Sequence, residues 1–307
     1  MNRIVNMNPT PAIRFKDLER CPLCGESARN SLVTCNRISA KQCRSCRLIY
    51  LDPCPDPRDL GKVYETSDSL ATLHGFLGRY YEYGGLDEKS ETLADYLRML
   101  ELLEKWLPPG RRDIFEVGFG NGLFLAAAQK REWQVNGIDI SAKNRVLAKE
   151  RYLLELQHGF FEDFEINGRT YDAVAMLDVI EHQEAPHLFL QKAHRMLRPK
   201  GLLLLATPNA SSFLHSLALW LYRLSGGVFK NGVEKIFIEE HLAYYNRQTV
   251  SELARRNGFR IVDDFQCSTD LERYCLKPNE AFTASVILRL GKLLRRENRF
   301  VVVGEKL

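Results

Sequence analysis

The sequence predicts an α/β fold in which a parallel sheet carries helices on both faces, with a small cysteine-rich module ahead of it. Three observations lead there. Apolar runs of strand length at about 113–118, 134–140, 156–161, 173–178 and 201–207 alternate with helical patterns at about 121–131, 142–152 and 185–197. Such alternation builds parallel sheets, because each strand must return through a crossover that covers one face. A glycine-rich turn joins the first of these strands to the first of these helices. Finally, two C-x2-C pairs occur near the start of the chain.

The chain has 307 residues, enough for about two domains of ordinary size. With 45% hydrophobic and 27% charged residues, a disordered or fibrous protein is excluded. Forty-three basic against 39 acidic residues leave +4, too mild a charge to predict a nucleic-acid partner. The first twenty residues lack the apolar core of a secretory signal, so a cytoplasmic location is expected. The most apolar stretch, Phe213–Leu224, includes His215 and Arg223 and falls short of the roughly 20 residues that cross a bilayer. No membrane span is predicted.

Cys21, Cys24, Cys43 and Cys46 follow the pattern C-x2-C-x18-C-x2-C, which lies within the spacing window of a four-cysteine zinc site. Two residues between thiolates let a tight turn aim both sulfurs at one cation, and two such turns complete a tetrahedron. Four thiolates leave no open position for water, so a structural zinc ribbon is expected over 15–56. Gly25 suits the positive φ of the first knuckle. Cys35, Cys54, Cys267 and Cys275 lack partners at ligand spacing and read as small buried apolar residues. Between the knuckles there is no aromatic interleaving with basic residues, so docking on the main domain is preferred to nucleic-acid binding. Prolines at 53, 55 and 57 mark a linker. Residues 57–110 are read as a helical linker or substrate cap, with a helix from about 86 to 107 stopped by Pro108-Pro109-Gly110.

The first core strand ends in EVGFGNG (116–122), and the second ends in Asp139, seventeen residues past Gly122. Glycines there allow a tight turn and let a ligand approach bare backbone at a helix N-terminus, while the acid can accept from both hydroxyls of a ribose. A nicotinamide fingerprint would want glycine at 123, where leucine stands.

With those motifs in register, the chain resembles the class I S-adenosylmethionine-dependent methyltransferases. EVGFGNG looks like their first motif, GIDIS their second, FEDF the segment after the third strand, YDAVAMLDVIEH the fourth and LRPKGLLLLATPN the fifth-strand region. The resemblance covers roughly 90–307, and the ribbon resembles one found on some bacterial members that act on small molecules or sugars. It implies a Rossmann-like sheet over 111–307 and S-adenosyl-L-methionine as cofactor. By the same resemblance Gly118, Gly120 and Gly122 pack under the methionine moiety, Glu116 lies near its amino group, and Arg98 meets its carboxylate. Asp139 then holds the ribose, Glu162 or its backbone meets the adenine, and Leu177 lies beneath the cofactor.

Methyl transfer to a hydroxyl needs alignment of the nucleophile, exclusion of water and removal of a proton. Asp178, Glu181 and His182 leave the sheet's carboxyl edge together, and His182 alone has an ordinary pKa near neutrality. It is read as general base, against the alternative that it only orients the loop. A second reading rests on resemblance to ubiquinone-biosynthesis O-methyltransferases and small-RNA 2′-O-methyltransferases, whose E-x-x-E-H pattern binds a divalent cation. Here Asp178 replaces the first Glu, Glu181 and His182 match, and His241 stands where the RNA enzymes place another histidine.

Residues 209–240 form an apolar insertion read as a substrate lid. Tyr80, Tyr81 and Tyr83 are read as stacking residues for a cyclic acceptor or as packing aromatics. Ala284–Arg296 is apolar on one face and basic on the other, which allows peripheral membrane contact; packing on the sheet before a last strand at Phe300–Val303 is preferred. The resulting expectation is a cytoplasmic methyltransferase acting on a hydroxyl of a small molecule or sugar. Sugar C-methylation, metal-dependent RNA 2′-O-methylation and a non-catalytic ribbon adaptor are the alternatives.

Overall fold

The computed structural model describes residues 14–36, 38–56, 59, 86, 90–238 and 240–307. The tyrosines at 80, 81 and 83 and most of the expected cap lie outside them.

The cysteine-rich module begins with β1 (Phe15–Lys16), which pairs with β5 (Cys54–Pro55). A hairpin of β2 (Arg29–Cys35) and β3 (Ile38–Cys43) continues into β4 (Ile49–Leu51). The knuckles are two tight turns, the first closed by Gly25 N–H donating to the Cys21 carbonyl at 2.9 Å with Gly25 at φ 75°.

The main sheet then grows from α1 (Glu91–Trp106), β6 (Asp113–Val117), α2 (Leu123–Lys130), β7 (Gln134–Asp139), α3 (Ala142–Tyr152), β8 (Gln157–His158) and β9 (Tyr171–Leu177). It is completed by α4 (Pro186–Met196), β10 (Leu197–Pro208), α5 (Phe213–Leu224), α6 (Asn231–Ile236), β11 (Ala243–Tyr244), α7 (Arg247–Arg256), β12 (Phe259–Cys267), α8 (Pro278–Leu293) and β13 (Arg299–Lys306). Its strand order is β12-β13-β10-β9-β6-β7-β8. Pairings are parallel from β10 through β8, and β13 alone runs against its neighbours. The central β9 is buried at every position, as a strand covered on both faces must be. The sheet reverses order beside β6, so the carboxyl ends of β6 and β9 diverge into a crevice, the usual ligand position in open α/β folds.

Several expectations change in detail. The third strand is only two residues long, because Phe161 and Phe164 turn into an aromatic cluster with Phe115 and Tyr171. Helix α1 starts after Ser90, whose hydroxyl accepts from Leu93 N–H at 3.1 Å, and buries Met99, Leu100 and Leu103 in the sheet's own core. Helix α8 packs on α5 rather than on the sheet, and Gly291 is its one buried residue. Of the four remaining cysteines, Cys35, Cys54 and Cys267 are buried as expected, whereas Cys275 is exposed. Among the described residues no helix is long and apolar enough to cross a membrane.

The module does not stand apart. Its β4 pairs with β11 of the main domain, giving a second sheet of order β11-β4-β3-β2. Cys21, Leu23, Cys43, Leu48 and Tyr50 share one core with Tyr245, Val250 and Leu253. The opposite face, including Val33, Ile38 and Leu51, packs on Ala218, Val233 and Phe237 of the insertion.

Candidate active site

At the carboxyl end of β6 the chain turns through Gly118, Gly120 and Gly122 at φ 70°, 54° and 83°, a left-handed path that disfavours any residue with a Cβ. A Cβ on Gly118 would stand 2.7 Å from Val179 Cγ2. On Gly122 it would meet Ala148 of α3 at 2.8 Å, so helix packing alone demands glycine there, while Gly118 and Gly120 remain partly exposed in the crevice. Asp139, 6% exposed, closes the turn: its carboxylate accepts from Gly120 N–H at 2.9 Å, Ser141 N–H at 2.8 Å and Asn144 Nδ2 at 3.2 Å. Burial lifts its pKa to about 6 even though these donors favour the charged form.

Glu116 is 2% exposed, and its Oε2 makes no hydrogen bond among the described residues. Burial, reinforced by Asp139, pushes its pKa well above the carboxylate range. A buried carboxyl with an unpaired oxygen beside a glycine turn has the chemistry to pair with a cationic group. An amino acid ammonium is such a group.

Across the crevice, Asp178 ends β9 at φ 56°, a strained conformation for a residue with a side chain. Arg299 holds it through an ion pair of 2.8 Å. The following 3₁₀ turn, Ile180–His182, carries Glu181, 1% exposed, whose two carboxylate oxygens lack full hydrogen bonds among the described residues. Burial, then Asp178, raises Glu181 to about 8. His182 Nδ1 lies 2.7 Å from the Glu240 carbonyl. Since a carbonyl only accepts, Nδ1 carries the proton and Nε2 keeps its lone pair. Burial lowers the pKa of His182 and favours the neutral ring. The His241 ring meets it edge-on at 4.8 Å, and ligand atoms of Glu181, His182 and His241 all lie within 4.8 Å of one another. These groups line a cavity of about 810 Å³ together with Leu217 and Leu221 from α5, Ile287 and Leu288 from α8, and the polar Asn231, Lys235 and Glu280.

In the module, the sulfurs of Cys21 and Cys46, and those of Cys24 and Cys43, stand 3.5 Å apart, and all four lie within 4.8 Å. A zinc tetrahedron with bonds of about 2.3 Å needs sulfur separations near 3.8 Å, so the four residues fit that ion.

Residues 88–264 match a family model described as a methyltransferase domain. The chain belongs to this methyltransferase family. Among curated relatives, a ubiquinone biosynthesis O-methyltransferase of Maricaulis maris is 33% identical over 112 residues, 34% of this chain and 44% of that protein. A probable S-adenosylmethionine-dependent methyltransferase of Mycolicibacterium smegmatis is 26% identical over 163 residues, 50% of this chain and 62% of that one. The matches thus span about half the length of such relatives. Among solved structures, magnesium protoporphyrin IX methyltransferase of Synechocystis with bound SAH shares the fold at a TM-score of 0.53 and 15% identity, covering 82% of this chain and 100% of that one.

Within this methyltransferase fold, the residues singled out from the sequence gather in part. Glu116, Gly118, Gly120 and Asp139 surround the crevice, and Leu177, buried, ends β9 beside it. The Glu162 side chain is exposed, and its carbonyl accepts from Lys192 Nζ at 2.9 Å. The guanidinium of Arg98 lies 3.9 Å over the Phe265 ring, and the residue is exposed. Arg299 and Tyr245 escaped the sequence reading. Arg299 sits in a basic run that reads as a solvated face; only the antiparallel pairing of β13 with β10, which sets it opposite Pro208, carries it to Asp178. Nothing in the local sequence distinguishes Tyr245.

Proposed function

We propose that the protein methylates a hydroxyl on a small molecule with an apolar body, using S-adenosyl-L-methionine. The observation that carries this reading is the cavity itself: its walls are mainly apolar, and His182 and Glu181 are among its lining residues. That lining favours an apolar acceptor over a free sugar, which would leave its many hydroxyls without partners.

Glu116 would receive the cofactor's ammonium, Gly118 and Gly120 would let its chain lie against bare backbone, and Asp139 would accept from the ribose. When bound, the cofactor supplies a methyl group on a positively charged sulfur, open to in-line attack. The remaining requirements fall to this chain. His182 Nε2 accepts the acceptor's hydroxyl proton as its oxygen bonds to the methyl carbon and the carbon–sulfur bond breaks, leaving S-adenosylhomocysteine. The Glu240 carbonyl stabilises the ring as it charges, since it binds the Nδ1 proton in both forms. The insertion walls exclude water.

A second reading is favoured by one observation, the convergence of Glu181, His182 and His241. A carboxylate with two imidazoles suits a divalent transition ion better than magnesium, and such an ion would lower the acceptor's pKa. Asp178, in the set expected from the sequence, is committed to Arg299 instead. In the ribbon, Cys21, Cys24, Cys43 and Cys46 would hold a structural zinc.

The test is S-adenosylhomocysteine release with a panel of alkyl-substituted phenols and of free sugars. Release confined to sugars would overturn the apolar acceptor. Under the metal reading a chelator silences turnover while the ribbon keeps its zinc, and Mn²⁺ restores it; unchanged turnover after verified removal rejects the ion.

A further inference from the structure

The ribbon touches the acceptor side of the active site along an unbroken path. Leu51 N–H in β4 donates to the Leu242 carbonyl at 3.0 Å, and Leu242 N–H donates to the Glu181 carbonyl at 2.7 Å. The same segment binds the His182 ring through Glu240 and carries His241. One further step along, Tyr245 is fully buried, its hydroxyl makes no hydrogen bond among the described residues, and it lies within electrostatic reach of Glu181 on one side and of Cys21 and Cys46 on the other. The insertion is tied to the same support: Tyr222 of α5 donates to the Thr34 carbonyl at 2.9 Å, Asn36 bonds Glu234 of α6, and Ala210 N–H donates to the Tyr245 carbonyl at 2.8 Å.

Toward the cofactor crevice the connection is apolar packing alone, in the core that the ribbon shares with Val117 and Ile138. Glu116 and Asp139 stand on β6 and β7, whose partners are strands and helices of the main sheet.

We propose that the four-cysteine ribbon is a positioning element for the acceptor half of the active site: the ion that closes Cys21, Cys24, Cys43 and Cys46 fixes β4, and β4 through the 240–245 segment fixes Glu181, His182, His241 and the insertion. The cofactor half stands without it. The idea rests on the zinc reading of the ribbon, but not on the identity of the acceptor. Short knuckles and a seven-residue strand bury little core of their own, so without the ion the register of β4 rests on its three-residue pairing with β3 and on its packing against the main domain. A three-residue β4 paired with a two-residue β11 is then a lever that amplifies ribbon order into site order.

Hydrogen–deuterium exchange on the full chain, purified with its metal and after stripping by a chelator, tests this, with metal content measured in both. The expected result is exchange faster by about tenfold or more in 180–182 and 213–245, unchanged protection over 113–140, and a calorimetric Kd for S-adenosyl-L-methionine within about twofold of the loaded protein. Faster exchange confined to 15–56 overturns the proposal, and so does loss of protection across the whole sheet together with cofactor binding. Leu51→Pro separates the ion from the link, because it deletes the N–H that reaches Leu242 while keeping all four thiolates. It should retain its zinc and its cofactor affinity yet release 240–245; unchanged protection there overturns the proposal. If the purified protein holds no zinc, the metal reading fails, and Leu51→Pro still decides whether β4 supports the site.

Discussion

Asp139 has a structural part that is separable from the ligand contact proposed for it. It braces Gly120 and starts α3 through Ser141 and Asn144, and under the proposed function it also accepts from the ribose. Asp139→Ala should therefore abolish S-adenosyl-L-methionine binding by calorimetry and also lower the melting temperature by several degrees, since three hydrogen bonds worth about 1 kcal/mol each are lost. Retained binding would remove Asp139 from the cofactor site. His182→Ala tests the other half. It should leave that binding within error and lower S-adenosylhomocysteine release by about 10²–10⁴-fold, the usual contribution of a general base. Equal turnover would leave His182 only an orienting part. Gly118→Ala brings a Cβ to 2.7 Å from Val179 at φ 70° and should destabilise the protein by about 1–3 kcal/mol in denaturant titrations, with weakened cofactor binding.

At the scale of elements, the α/β core was legible because its signals are local: strand-length runs, glycines at a turn, and an acid at the end of the next strand. The cysteine spacing was legible for the same reason. What the sequence did not disclose was pairing between distant segments, because β11 is two residues long and β12 is half-buried along most of its middle rather than showing a clean apolar face. Arg299, Tyr245 and the ribbon's seat on the insertion all depend on such pairings. Helix α5 adds a prediction of its own. His215 is 5% exposed, its Nδ1 sits 3.0 Å from the Ser212 hydroxyl, and burial lowers its pKa to about 4 from 6.5. The unfolded chain takes up a proton below pH 6.5 while the folded helix resists until about 4, so stability is full above 6.5 and falls as the pH drops through that window. Between pH 7 and pH 5 the loss from this residue should approach about 2 kcal/mol, and His215→Phe should flatten that part of the pH profile in denaturant melts. An unchanged slope in the variant would show that the buried imidazole is not the cause.

Across the whole molecule, the insertion and α8 concentrate the positive charge. Residues 213–235 and 277–296 hold eight Lys or Arg against two acids, so the remainder of the chain is slightly negative. The ribbon, the part that could have served as a nucleic-acid module, turns one apolar face to Tyr245 and Leu253 and the other to the insertion. Base stacking requires exposed aromatic rings, and backbone tracking requires a continuous basic groove. The basic residues here flank a mainly apolar cavity, and the exposed rings near them, Trp220, Phe229 and Phe282, are scattered over three elements or loops. Binding of a fluorescent single-stranded RNA should accordingly be weak, with a Kd no tighter than the roughly 10⁻⁴–10⁻⁶ M of non-specific association at physiological salt, and it should fade steeply as salt rises. An anisotropy titration giving nanomolar affinity, retained at high salt, would restore the RNA alternative and displace the apolar acceptor, because one cavity holding His182 and Glu181 cannot be shaped for both.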